Sequence, residues 1–262
     1  MYDLAALEAE LSQTIIAGKL HFSPATDSTN SDAVAAARAG APHGSVYFAD
    51  EQLAGRGRGG NTWHSAAGDG LYVSVLLRPR LPIARLPLLP LAAGLAAAGA
   101  VRAVSGLVAD LRWPNDILLG PRKTGGILVE AHTEHRSVAW AVIGIGVNVH
   151  QHTFPPDLAT PATSLDLEAG RRISRQPLLA ALLKFLEREA LALEDQAACA
   201  AIPARVEQAS TWVRGRMVEV HGPQACTGLT AGLDANGFLQ VQSAMGVVTV
   251  QTGGIREAAF SS

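Results

Sequence analysis

Apolar residues recur at Leu4, Leu7, Leu11 and Ile15, the spacing of one helical face, so residues 3–17 read as a short amphipathic helix. The cluster Asp27-Ser28-Thr29-Asn30 offers side-chain oxygens to free helical amides and predicts the start of an Ala-rich helix from Asp32 to Ala39, closed by Gly40. Ser45 to Ala49 and Leu71 to Leu77 read as strands, with a glycine-rich loop from Gly55 to Gly60 between them. Leu86 to Val104 predicts a long buried helix. Four further strands follow at Val108–Arg112, Ile117–Leu119, Gly126–His132 and Val138–Ile145, several of them apolar on both faces. A proline-rich connection from Pro155 to Pro161 leads to a helix over Gln176–Leu193, with Pro177 tolerated in its first turn.

From about Trp212 the pattern changes to short strands separated by turns: Met217–Val220, Cys226–Leu233, Phe238–Gln240 and Val247–Val250. Asn236-Gly237 is a hairpin signal within them. The pattern predicts an α+β protein, with a sheet covered by helices on one side over residues 1–210 and a small β-barrel-like domain over 211–262.

With 262 residues, 48% of them hydrophobic, the chain has enough material for one sizeable core and a small appendage. Its 21 basic residues against 23 acidic argue against a dedicated nucleic-acid binder, which carries a basic excess. Leu86 to Val101 is a run of sixteen residues without a charge, too short to span a bilayer comfortably and interrupted by Pro87 and Pro90, so no membrane association is expected. Cys199 and Cys226 have no metal-type spacing and read as free thiols of a reducing cytoplasm. His132/His135 and His150/His152 lack an obvious third ligand, so no metal site is expected there.

Four short segments carry candidate chemistry. Glycines 55, 57, 59 and 60 let the backbone approach a ligand and aim amides at one anion, while Arg56 and Arg58 add fixed positive charge. The loop matches neither the P-loop nor the dinucleotide spacing, and on its own it also fits a mobile surface loop or an RNA-binding segment. Arg112-Trp113-Pro114-Asn115-Asp116 reads either as a tight turn with an indole in the core or as an amide and a carboxylate held at a strand end. Lys123 enters a strand through Thr124-Gly125-Gly126, which suits a point charge on a developing anion as well as a solvated turn lysine. Gly144-Ile145-Gly146-Val147-Asn148 ends another strand with small residues and an amide.

In this order and spacing the segments resemble the biotin protein ligase family, over about residues 25–150, with Asp27-Ser28-Thr29-Asn30 and Glu51-Gln52 falling where the family has them. The chain departs from the family pattern with Arg112 in place of lysine and with Gly59-Gly60 where many relatives have another basic residue. The resemblance implies a class II synthetase-like catalytic domain, with a mixed, largely antiparallel sheet, and an SH3-like C-terminal barrel.

It also implies roles for particular residues. Ser28, Thr29, Asn30 and Gln52, with Arg56, Gly57, Arg58, Lys123 and Gly126, would hold biotin. Arg56, Arg58, Trp63, Asn115, Lys123 and Asn148 would meet the nucleotide, with Trp63 as an aromatic that packs on adenine. Lys123, Arg58 and Asp116 would be catalytic. The implied substrates are biotin and Mg-ATP, and the implied partner is a biotin carboxyl carrier domain of acetyl-CoA carboxylase or a related enzyme. Pairing of relatives through sheet edges leaves a homodimer open. Only about twenty residues precede the catalytic segment, so the expectation is a ligase without a DNA-binding domain. The rivals are a lipoate–protein ligase of the same fold and a non-catalytic biotin or nucleotide sensor.

Overall fold

The structure is a computed structural model that describes residues 2–258. Seven strands build the larger sheet: β1 (Leu20–Thr26), β2 (Ser45–Gln52), β3 (Gly70–Leu77), β4 (Asp110–Arg112), β5 (Asp116–Leu119), β6 (Arg122–Glu134) and β7 (Ser137–Asn148). Their order is β1-β2-β3-β7-β6-β5-β4, with β1 parallel to β2 and every other pair antiparallel. The sheet is therefore mixed and largely antiparallel, in keeping with the expectation.

Side-chain alternation along β3 and β7 divides the sheet into two unlike faces. Leu71, Val73, Val75 and Leu77 enter the main core with Ile143, Ile145 and Val147. Two long helices, α3 (Leu88–Ser105) and α5 (Arg175–Glu194), pack on each other and cover this face. By length and composition α3 could cross a membrane, but 61% of it is buried inside the protein, as befits a core helix. The alternate residues Leu76 and Val142, with Trp140, form a second cluster with Ala33 and Ala37 of α2 (Thr29–Arg38). Helix α2 thus lies on the face opposite α3 and α5 and covers only part of it. The uncovered part holds the site.

Some elements differ from the sequence pattern for identifiable reasons. Strand β1 was not foreseen, because Pro24 and its polar neighbours break the apolar rhythm; as an edge strand it tolerates both. The N-terminal helix α1 spans only Leu4–Glu10, and the chain continues in turns that bring Leu11 and Ile16, rather than Ile15, fully into the core. Helix α2 begins at Thr29, three residues before the alanine run, so Thr29 and Asn30 sit in its first turn.

After α4 (Leu165–Ala169) and α5, the short helices α6 (Gln196–Ala200) and α7 (Ile202–Gln208) lead to the second sheet. Its strands are β8 (Arg214–His221), β9 (Cys226–Leu233), β10 (Leu239–Ser243), β11 (Gly246–Val250) and β12 (Gly254–Glu257), antiparallel in the order β11-β10-β9-β8-β12. Asn236-Gly237 does turn the β9–β10 hairpin: Asp234 accepts the amides of Asn236 and Phe238, and Gly237 adopts φ 81°. This turn rests against Leu88 and Leu91 of α3, so tightly that a Cβ at Gly237 would overlap them. The Gly237 carbonyl accepts the indole N–H of Trp113 at 3.0 Å.

Trp113→Phe keeps an aromatic, though smaller, ring and removes that donor, leaving a buried carbonyl without its partner. We expect a loss of about 1–3 kcal/mol, read as a lower urea midpoint at unchanged slope. A midpoint identical to that of the parent protein would mean that the indole contact does not tie the second sheet down.

Candidate functional site

A cleft of about 470 Å³, the solvent-open space at its mouth included, lies on the sheet face that α2 leaves uncovered. Its lining includes Ser28, Thr29, Asn30, Gln52, Arg56, Gly57, Arg58, Trp63, Asn115, Lys123 and Gly126. These come from the start of α2, the end of β2, the glycine loop, the β4–β5 turn and β6. Two residues named from sequence do not line it. Asp116 stands behind Lys123, and the buried amide of Asn148 donates to the Thr163 carbonyl at 3.1 Å.

The floor is cut by glycines. Gly126 and Gly146 face each other across the β6–β7 ladder, and Trp63 lies over both. Gly144 lies on the same face of β7, where an added Cβ would overlap Asn30 Oδ1. Gly144 and Gly146 therefore require glycine for close approach rather than for turn geometry, whereas a Cβ at Gly126 would make only ordinary contact with Trp63 and Lys123. The indole N–H of Trp63 is buried and has no partner among the described residues.

At one end of the cavity the polar groups are chained together. Gln52 Oε1 accepts the Thr29 amide at 3.0 Å, Gln52 Nε2 donates to Ser65 at 2.7 Å, and Thr29 Oγ1 lies 2.8 Å from Ser74 Oγ. Ser74 donates to Asn30 Oδ1 at 2.6 Å, and Asn30 Nδ2 donates to Glu130 at 2.9 Å. Glu130 in turn receives both terminal nitrogens of Arg56, at 3.2 and 2.6 Å. Sequence reasoning missed Ser74 and Glu130. The signal for Ser74 was present, as the one hydroxyl in the apolar run Leu71–Leu77 apart from the phenol of Tyr72.

The other end is cationic. The register shift between Ile117 and Leu118, which pair with Gly125 and Lys123, marks a bulge at Thr124 of β6. Strict alternation would put Lys123 on the face away from Gly126, and the bulge returns it to the cavity. There it lies 2.5 Å from Asp116 Oδ1 and 5.6 Å from the centre of the Trp63 ring. Arg112 meets Asp116 Oδ2 from behind at 2.5 Å and donates to Thr160 at 2.9 Å. Burial works against ionisation of Asp116, but Lys123 and then Arg112 more than offset it and hold the carboxyl below its ordinary value. Two cations on one carboxylate leave the cluster with net positive charge beside the cavity. Asn115 adds an amide, which donates to Ile127 O at 2.9 Å.

The loop over the cavity is itself folded. Trp63 N donates to Gly55 O, Gly57 N to Asn61 O, and Asn61 Nδ2 to Arg58 O, so Gly55 and Gly57 are held directly and the turn carrying Gly59 and Gly60 is closed from Arg58 to Asn61. Arg58 reaches the second sheet and donates to Gly253 O and Thr252 Oγ1. Burial lowers the pKa of its guanidinium, with Asp116 acting the other way.

The paired histidines do not converge on a metal-type site. His150 is buried against Asp166 at 2.8 Å, and His132 stacks on Trp140. Among the described residues no three His, Cys, Asp or Glu side chains cluster. Cys199 and Cys226 are both free.

Residues 22–148 match the biotin/lipoate A/B protein ligase family model. The bifunctional ligase/repressor BirA of Bacillus subtilis is 38% identical over 180 residues, which are 68% of this chain and 55% of that protein. The chain therefore spans only about half the length of that relative. The biotin--[acetyl-CoA-carboxylase] ligase of Mycobacterium tuberculosis is 34% identical over 236 residues, 88% of this chain and 85% of that one. Among solved structures, a biotin protein ligase from Aquifex aeolicus in complex with biotin and ATP superposes with TM-score 0.79 at 27% identity, covering 92% of this chain and 100% of that one.

The depressed pKa of Asp116 has a consequence for acid stability. A carboxyl held lower in the folded than in the unfolded state stabilises the fold above its unfolded pKa, and that contribution fades as pH falls through the folded value. Asp116→Asn should therefore lose stability at pH 7 and lose less of what remains on acidification to pH about 3. Urea titrations at the two pH values measure this, and an equal acid loss in both proteins would remove Asp116 as a source of it.

Proposed function

The chain belongs to the biotin/lipoate A/B protein ligase family, and on that premise we propose that it is an ATP-dependent biotin protein ligase. In the reaction the biotin carboxylate attacks the α-phosphate of Mg-ATP, giving biotinyl-5'-AMP and pyrophosphate. A carrier lysine amine then attacks the acyl carbon and AMP leaves. The acceptor is the biotin carboxyl carrier protein of acetyl-CoA carboxylase or of a related biotin enzyme.

The observation that carries the proposal is a single cavity with two unlike ends. One end has the hydrogen-bonding groups of Ser28, Thr29 and Gln52, suited to a polar ring that needs every donor and acceptor paired. The other has Lys123 and Asn115 beneath a loop bearing Arg56 and Arg58, suited to anions. Two anionic reactants repel, so bringing them together needs fixed positive charge already oriented. Lys123 takes the role of spanning the carboxylate and the phosphate, with Asp116 holding its ammonium in place between ligands. Trp63 packs along the bound molecule, and Asn115 and Asn148 serve the nucleotide, Asn148 through a side chain that must first leave Thr163. Magnesium enters with the ATP phosphates. The carboxylate at this end, Asp116, is already committed to two cations.

We place the ligase site in residues 1–210 and the closing surface in 211–262, and we assign the protein to the cytoplasm, consistent with its two free cysteines.

Lys123→Ala removes charge from the cavity while Arg112 still neutralises Asp116, so the fold is retained. Pyrophosphate release from biotin and ATP should fall by about 10²–10³, the cost of one such contact in a transition state. Parent-like release would refute the assignment. Arg58→Gly cuts the bonds from the loop to Thr252 and Gly253, and adenylate should still form but escape. Biotin incorporation into an unrelated bystander protein should rise relative to the true carrier; labelling at the parent level, with adenylate release no faster, would mean that Arg58 does not seal the site.

A further inference from the structure

The polar chain at the ring end of the cavity has only one consistent direction. Ionised Glu130 can only accept, and it takes both Arg56 nitrogens and the Asn30 amide. That contact turns the Asn30 NH₂ toward Glu130 and leaves Oδ1 facing Ser74. Ser74 has one proton, which goes to Asn30 Oδ1 at 2.6 Å, so its lone pairs accept from Thr29 Oγ1 at 2.8 Å. Gln52 Oε1 meanwhile is satisfied by the Thr29 backbone amide at 3.0 Å, the hydroxyl lying farther away at 3.2 Å. The single Thr29 hydroxyl proton is thus directed inward. Its oxygen meets the cavity with lone pairs alone.

We propose that the Arg56–Glu130–Asn30–Ser74 relay fixes Thr29 Oγ1 as an acceptor, so that the site selects a substrate ring carrying an N–H donor over one without it. Ser74 and Glu130 are absent from the cavity lining, so they act through Thr29 as positioning residues that set specificity. This rests on the biotin ligase reading and deepens it: the ureido ring of biotin brings the N–H, and the dithiolane ring of lipoate does not. A ring without the donor leaves a buried oxygen unpaired, which is the stronger basis for discrimination than a mismatch of apolar shape.

The test is calorimetric titration of the full chain with biotin and with lipoate, for the parent, Ser74→Ala, Glu130→Gln, Thr29→Val and Ser74→Ala/Thr29→Val. With Ser74 removed the Thr29 proton is free to turn toward the cavity or to Gln52. With glutamine at 130 the side chain can donate as well as accept, and the Asn30 amide is free to flip. Each change should weaken biotin about tenfold, the scale of one hydrogen bond, without weakening lipoate. The KM for biotin should rise more than kcat falls. In the Thr29→Val background the Ser74 change should add less than about twofold, because the coupled group is already gone. An unaltered biotin-to-lipoate ratio in both Ser74→Ala and Glu130→Gln overturns the proposal, as does a full additive loss in the double variant. Glu130 lies at the rim, so Glu130→Gln reports even where Ser74→Ala fails to fold. Failure of the parent protein to bind biotin would instead overturn the ligase reading itself, and the relay with it.

Discussion

The site depends first on the missing side chains at Gly144 and Gly146, both on the cavity face of β7. Next to these glycines the same face carries larger side chains, among them Leu128 and Glu130 of β6 and Trp140 and Val142 of β7. With a Cβ at Gly144 the Asn30 amide would have no seat, and with one at Gly146 the Trp63 indole would be pushed off the sheet. A trough one methyl deep therefore decides where α2 begins to contact the sheet and where the loop can lie down. The apolar packing on the opposite face, between α3, α5 and the alternate residues of β3 and β7, keeps that trough rigid.

Charge is then distributed along the trough by pairing. Asp116 and Glu130 each hold a cavity cation from one side, Lys123 and Arg56 respectively. Each pair orders a long side chain before any ligand arrives, which lowers the entropy lost on binding. The two pairs differ in their setting. Arg56 is exposed and Glu130 partly so, and the pair is screened by water, whereas Asp116 is largely enclosed and shared with Arg112, so its field reaches the cavity less diluted. The excess of cations over carboxylates at the Lys123 end makes that end the one suited to an anion.

The second sheet participates through contacts at two of its loops. Its β9–β10 turn is bonded to Trp113, one residue from Pro114 and two from Asn115, and its β11–β12 connection is bonded to Arg58. The first contact braces the rigid turn that presents Asn115 and Asp116. The second reaches the loop that covers the cavity. Both are formed by backbone carbonyls or a single hydroxyl, so either can be exchanged for another partner without burying a charge.

Much of this was legible in the sequence. The long helices, the strands from Leu71 to Ile145, the Asn236-Gly237 turn and the glycine–arginine loop each follow from local periodicity or turn chemistry, which do not need the rest of the chain. The convergence of Ser28, Thr29, Gln52, Lys123 and Asn115 was expected from the family resemblance that the motifs carry. Strand β1 escaped because its stability comes from pairing at an edge rather than from its own apolar pattern. Ser74 stood out as a hydroxyl in an apolar strand, but neither it nor Glu130 carries a local sign of its partner; their meaning lies in what faces them, across 44 residues in one case and 74 in the other. The inward turn of the Thr29 proton, the bulge that aims Lys123 and the bond from Arg58 to the second sheet were decided only in three dimensions, because each depends on the register between strands and the distance between groups remote in the chain.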